Sequence, residues 1–259
     1  MSQRLARVVR PLVTLAGLLL LWQAAHWLNG ERDYLLPGPL TTAQTAWAKA
    51  PLLLDHALIT GAEILLGLLL GCLLGVVSAL ALAQVRTLER WLLPLLVISQ
   101  AIPVFAIAPL LVLWLGYGLA SKVAMATLII YFPVTAAFLD GLRQTDPLWL
   151  DQARVMQARP WRVLLLVRLP AALPALASGL RVATAVAPIG AVVGEWVGAS
   201  GGLGYLMLHA NARMQIDLMF AALFTLALFA VALYWAVDRG LARLLPWVPD
   251  SRTRAAPSA

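Results

Sequence analysis

Six runs of apolar residues, each long enough to cross about 30 Å of hydrocarbon as a helix, constrain this chain more than any other feature. They lie near Leu12 to Leu28, Ala57 to Ala83, Leu92 to Leu115, Val123 to Leu139, Ala171 to Val193 and Leu218 to Val237. Of the 259 residues, 62% are hydrophobic and 12% charged, against about 45–50% and about 25% in soluble domains. A soluble fold of this length has no interior large enough for that surface, so lipid is its solvent. The expected fold is therefore all-α, a polytopic membrane protein with six transmembrane helices. It divides into a leading segment 1–11, a membrane domain 12–237 and a tail 238–259.

The first run follows Arg4, Arg7 and Arg10 as a secretory signal would, but it exceeds the usual apolar core of about 7–15 residues. It is read as an uncleaved anchor. With the N-terminus inside, fourteen arginines fall in inside segments, against four basic residues outside: Arg32, Lys49, Lys122 and Arg213. By the positive-inside rule both termini are cytoplasmic. The tail "PDSRTRAAPSA" is too polar to fold alone and is expected to be disordered. The net charge of +7 does not point to nucleic acid, because the arginines sit between apolar runs rather than on one face of a domain. Cys72 is alone, beside Gly71, and reads as a small packing residue. His26, His56 and His209 show no metal-ligand spacing.

Between the first two spans, Pro37, Gly38 and Pro39 mark a turn, with Thr41 or Thr42 as a helix N-cap. A short outside helix lying along the membrane through Trp47 and the leucines after Pro51 fits, as a linker or as a binding element. Gly67, Gly71 and Gly75 recur every four residues on the second span, which permits close helix approach. Prolines interrupt two other spans. Pro103, Pro109 and Pro188 remove hydrogen bonds to the carbonyls of Ser99, Phe105 and Thr184. With Ser99 and Gln100 these groups line either a polar translocation path or a kinked packing interface. Glu63 and Arg181 lie within spans, where ionisable groups are functional candidates. Glu195 is placed at the outer mouth, able to meet a solute or a docking protein, or simply solvated.

The inside segment 141–170 departs from the apolar pattern. Asp146 is a carboxylate N-cap and Pro147 a good first helical residue. The helix runs through Leu148, Leu150, Ala153, Val155 and Met156 until Pro160 pushes its predecessor out of the helical region. A second short helix starts at Pro160, carries Trp161, Leu164 and Leu165, and is expected to end at Pro170. The result is a compact cationic knob on the cytoplasmic side, which takes either a protein partner or the headgroup layer.

"DQARVMQARPWRVLLLVRLP", Asp151 to Pro170, is similar to the cytoplasmic signature of permease subunits of bacterial ABC importers. Asp151 stands at the acidic position, Ala153 at the second alanine, and Leu169 with Pro170 at its end. Gln152 replaces the first alanine and Gln157 the glycine, a position where glutamine adopts a left-handed backbone at a cost of roughly 1–2 kcal/mol. "ISQAIPVFAIAPLLVLWLGYGLASKV" and "GEWVGASGGLGYLMLHANARMQIDLMFAAL" resemble the third span and the last link of the branch importing sulfonates, taurine, nitrate and thiamine precursors. Glu63 departs from an arginine common among relatives.

The resemblance implies type I importer permease architecture. It also implies ATPase coupling through Asp151, Gln152, Ala153, Met156, Gln157, Ala158 and Arg159, and a path lined by Ser99, Gln100, Pro103, Phe105, Pro109, Thr184, Pro188 and Glu195. The implied partners are a second permease copy, two ATP-binding subunits, a periplasmic solute-binding protein and membrane lipid, without nucleic acid. This chain is expected to bind no cofactor and no metal and to catalyse nothing; ATP-Mg belongs to the partner ATPase. Accordingly neither lysine completes a P-loop, since Lys49 follows Ala48 and Lys122 follows Ser121. An ion-coupled carrier or channel would call for inverted repeats and paired mid-bilayer charges, and neither is visible. The run from Gly194 looks most like permeases for the hydroxymethylpyrimidine precursor of thiamine, with aliphatic sulfonate, taurine or nitrate as the alternative cargo.

Overall fold

A computed structural model describes residues 3–30 and 32–248. The tail from residue 249, with Arg252 and Arg254 and the expectation of disorder, lies outside the described residues. Every regular element among the described residues is helical: α1 (Gln3–Leu28), α2 (Pro39–Ala48), α3 (Ala50–Gln84), α4 (Arg86–Ser99), α5 (Val104–Leu115), α6 (Leu119–Arg143), α7 (Pro147–Val155), α8 (Pro160–Val163), α9 (Leu169–Gly198), α10 (Leu203–Ala212) and α11 (Ile216–Leu244). Four stretches, Ala50–Gln84, Leu119–Arg143, Pro160–Gly198 and Ile216–Leu244, are long and apolar enough to cross a membrane. A fifth is the broken pair of α4 and α5, bent by 102°, and Leu12–Leu28 of α1 is a shorter apolar stretch. Leu20, Leu69, Leu113 and Leu228 are 64–77% exposed, as side chains that face lipid are.

Five local expectations are corrected. The third span is not one rod: α4 stops at Ser99, and Pro103 is the N-cap of α5. The Ser99 carbonyl is not freed by Pro103, because it accepts the Ile102 N–H at 3.3 Å; the residue before a proline leaves the helical region, and the turn closes there. The N-cap of α2 is Gly38 rather than Thr41 or Thr42, since Pro39 is favoured at the first helical position; the Thr42 hydroxyl instead donates back to the Gly38 carbonyl at 3.0 Å. The leucines after Pro51 belong to the long helix α3, not to the short outside one. Finally, Pro170 does not end a helix. The chain widens into a π-turn at Leu164–Arg168, with the Leu169 N–H on the Leu164 carbonyl, and this wider turn carries it past the proline into α9.

The chain forms two compact units. One comprises the chain up to Thr60 with Ser200–Ala227. In it Trp22 of α1 stacks on Phe224 (4.8 Å between ring centres) and its indole N–H donates to the Pro37 carbonyl at 3.0 Å. His26 Nδ1 donates to the Leu36 carbonyl at 2.8 Å, so the turn after α1 is tied to the helix it leaves. The start of α10 is capped by α3: the N–H groups of Gly202 and Leu203 donate to His56 Nδ1 (2.9 Å) and Thr60 Oγ1 (2.7 Å), filling a role that helix N-termini leave open.

The other unit comprises Gly61–Ala199 with Leu228 onward. Its centre is α6, whose Ala126, Ile130 and Val134 are fully buried. A Cβ on Gly71 would lie 2.6 Å from Ile130 Cγ2, and one on Gly75 2.9 Å from Val134 Cγ1; Gly67 faces Ala126 in the same way. The glycine stripe of α3 therefore seats that helix against α6. Helix α9 also approaches α6 at Ala126, through Gly190, where a Cβ would lie 2.6 Å from the Ala126 Cα. Ala79, Leu82, Phe138, Leu139, Leu142 and Ala172 close the core at the end of α6 that leads into α7.

Candidate functional site

The segment after α6 is built by its polar residues. The Leu148 N–H donates to Asp146 Oδ1 at 2.9 Å, so the aspartate caps α7, and Pro147 follows as its first residue. Arg143 pairs with Glu89 at the foot of the segment, and Arg154 pairs with Asp151 one turn away at 2.7 Å. At its far end the Gln157 N–H bonds the Arg154 carbonyl and the Ala158 N–H the Ala153 carbonyl, both at 2.9 Å. That pattern requires a left-handed residue between the two bonds, and Gln157 has φ 50. Arg159 then extends (φ −64, ψ 140) and Pro160 opens α8.

Of the seven residues named for coupling, Asp151, Gln152, Met156, Gln157 and Arg159 are exposed and Ala158 is half-buried. Ala153 is buried at 8%, on the side of α7 that faces the body of its unit across a cavity. Leu148 and Val155 join Asp151, Gln152 and Met156 around a shallow hollow of about 420 Å³. Val155 and Met156 are 85% and 80% exposed, an apolar cost in water. Behind α7 a larger cavity of about 760 Å³ lies between Trp149, Gln152, Met156, Leu166, Pro170 and Trp247.

The residues named for the path separate into two groups. Ser99, Gln100, Pro103, Phe105 and Pro109 are exposed on α4, α5 and the break between them, with the Ser99 hydroxyl donating to the Leu96 carbonyl at 2.7 Å. Thr184, Pro188 and Glu195 are buried on the packed side of α9, and the Thr184 hydroxyl donates to the Leu180 carbonyl at 2.7 Å. Glu195 is not solvated at a mouth: it is 1% exposed, as is Glu63, and the two carboxyl groups meet beside Lys122. Lys122, 4% exposed, donates to the Tyr117 and Gly118 carbonyls at 2.6 and 2.9 Å. Spacing alone places Lys122 among the outside basic residues; the signal for its burial is the Gly-Tyr-Gly turn before it, whose carbonyls need a donor. Glu63 Oε2 has no hydrogen-bond partner. Arg181 pairs with Asp238, its Nε lying 2.6 Å from the carboxylate. No metal-binding group of three or more side chains occurs among the described residues.

A family model described as a binding-protein-dependent transport system inner membrane component matches residues 67–248. A probable ABC transporter permease protein of Haemophilus influenzae is 58% identical over 92% of this chain and 98% of its own. A riboflavin transport system permease of Chloroflexus aurantiacus is 40% identical over 86% of this chain and 84% of its own. A formylaminopyrimidine transport permease of Halalkalibacterium halodurans is 35% identical over 95% of this chain and 98% of its own. Among solved structures, the inward-facing MetNI methionine ABC transporter has a chain of the same fold, with a TM-score of 0.67 at 20% identity, covering 76% of this chain and 98% of that one. The chain belongs to the binding-protein-dependent transport system inner membrane components, the permease subunits of ABC importers.

Proposed function

We propose that this permease imports a small amino-pyrimidine of the thiamine-precursor class, received from a periplasmic binding protein and driven by ATP hydrolysed on separate subunits. The 35% likeness to a formylaminopyrimidine permease over nearly the whole of both chains supports the cargo. The observation that carries the coupling is the α7–α8 corner: a capped nine-residue helix with charged and apolar side chains exposed side by side and no partner of its own for Val155 or Met156. Two ATP-binding subunits would grip this corner in each of two permease copies. Their closure on ATP-Mg would swing it and, through the unbroken Pro160–Gly198 helix, turn the spans between inward-facing and outward-facing states. Both termini then lie in the cytoplasm.

Coupling is tested by Asp151→Arg with Val155→Arg, both exposed. Co-purification of the ATPase and solute uptake are expected to fall at least tenfold while the chain still reaches the membrane. Unchanged values for both would remove the corner from the coupling. Cargo is tested on the binding protein encoded beside this chain: an amino-pyrimidine is expected to raise its melting temperature, and a response to a flavin or a sulfonate alone would replace the cargo.

A further inference from the structure

A second concavity belongs to the other unit. Thr45 and Lys49, at the end of α2, face Tyr205 and His209 of α10, with Arg213 and Asp217 beyond, around a cavity of about 400 Å³. That volume is in the range of small-molecule sites, about 300–1,000 Å³. One side carries two rings: Tyr205 and His209 are 3.9 Å apart between centres, and outside the cavity lining His56 stacks 6.1 Å from Tyr205. His209 Nδ1 is 3.0 Å from the Tyr205 carbonyl. A carbonyl only accepts, so Nδ1 carries the hydrogen and Nε2 is left for whatever enters.

The charges on the other side do not balance. The Asp217 carboxylate accepts the Thr45 hydroxyl at 2.9 Å and stands in the first turn of α11, where the helix's own N–H groups offset its charge. Lys49 and Arg213 take part in none of the ion pairs among the described residues. The cavity thus sets two cations against one carboxylate, an excess of positive charge beside two adjoining rings.

We propose that this cavity is a binding site for a small planar organic anion, its ring laid against Tyr205 and His209 and its carboxylate, sulfonate or phosphate held between Lys49 and Arg213. Guanidinium and ammonium groups bind such oxyanions through charge-assisted hydrogen bonds, and aromatic faces select flat ligands. The site is separate from the coupling corner and does not depend on which cargo the permease carries.

The full-length chain in lipid nanodiscs, titrated with benzenesulfonate at low salt, tests the assignment. One saturable site per chain is expected, at least tenfold tighter than for benzyl alcohol, which has the ring without the charge, or methanesulfonate, which has the charge without the ring. The Lys49→Gln/Arg213→Gln variant is expected to weaken benzenesulfonate at least tenfold with an unchanged melting temperature, since both side chains are exposed. Asp217→Asn, which keeps an acceptor for Thr45, is expected to tighten it. Equal affinity for benzyl alcohol, no effect of removing both cations, or weaker binding in Asp217→Asn would each overturn the proposal. Binding is read without ATP or transport, so its failure leaves the importer reading standing, and a failed uptake test leaves this site standing.

Discussion

Gln157 occupies the left-handed position that closes α7, and its side chain gains nothing there, being exposed. A glycine takes that backbone without the Cβ penalty of roughly 1–2 kcal/mol, less what it adds to the disorder of the unfolded chain. Gln157→Gly is therefore expected to stabilise the protein by about 1 kcal/mol, seen as a higher melting temperature in detergent, whereas Gln157→Val should lower it. The buried charges predict opposite signs for two neighbours. Removing the ammonium with Lys122→Met leaves Glu63 and Glu195 facing each other and strands two carbonyls, a loss of about 3 kcal/mol by analogy with broken buried pairs. Glu63→Gln replaces one carboxylate by an amide whose N–H₂ can donate to Glu195, and is expected to melt no lower than the parent. Both are checked by thermal unfolding of the same preparation; a stable Lys122→Met would mean that the three groups do not act on one another. Single residues are the least legible level of the sequence. Asp146 announces itself because a cap acts on its own next turn, and Lys122 is tied to the turn just before it, but Glu195 and Arg181 owe their surroundings to residues 57 or more positions away, as Asp238 is from Arg181.

Helices, by contrast, were legible wherever a local rule governs them and less so where two rules compete. The runs of apolar residues located every long helix, because length and hydropathy suffice in lipid. The ends of α2 and α9 and the break between α4 and α5 were misjudged, each at a proline, where the same ring can start a helix, stop it or be carried by a wider turn. The glycine stripe was readable as spacing but not as a partner; only packing shows that it meets α6. This gives the stripe a graded prediction. Gly71→Ala sets a methyl 2.6 Å from Ile130 and 3.2 Å from the Thr127 carbonyl, with backbone on one side that cannot move aside, so overpacking of about 1–3 kcal/mol is expected. Gly240 on α11 has nothing within 4 Å of the same position, and Gly240→Ala should be neutral or slightly stabilising through helix propensity. Comparable melting temperatures for the two variants would show that α3 does not depend on its glycines for its seat.

For the chain as a whole, composition points to the solvent and charge asymmetry predicts the orientation. Helices of this length and hydropathy lie equally well in either direction across a bilayer, since hydrocarbon does not distinguish their ends. What distinguishes them is which basic residues would have to cross, and fourteen against four predicts that the termini stay inside. The α7–α8 corner can meet an ATP-hydrolysing partner only from the cytoplasm, so the direction of insertion and the coupling stand together. Cys72 is the one cysteine, and Cys72→Ser gives a background for single-cysteine labelling. Trp47→Cys, at an 87% exposed position, and Arg162→Cys, beside a 53% exposed Trp161, fall in segments assigned to opposite sides. A membrane-impermeant maleimide applied to cells with only the outer membrane opened is expected to label Trp47→Cys at once and Arg162→Cys only after the inner membrane is broken. The reverse order would put the corner where no ATP is available, and the importer reading could not survive it.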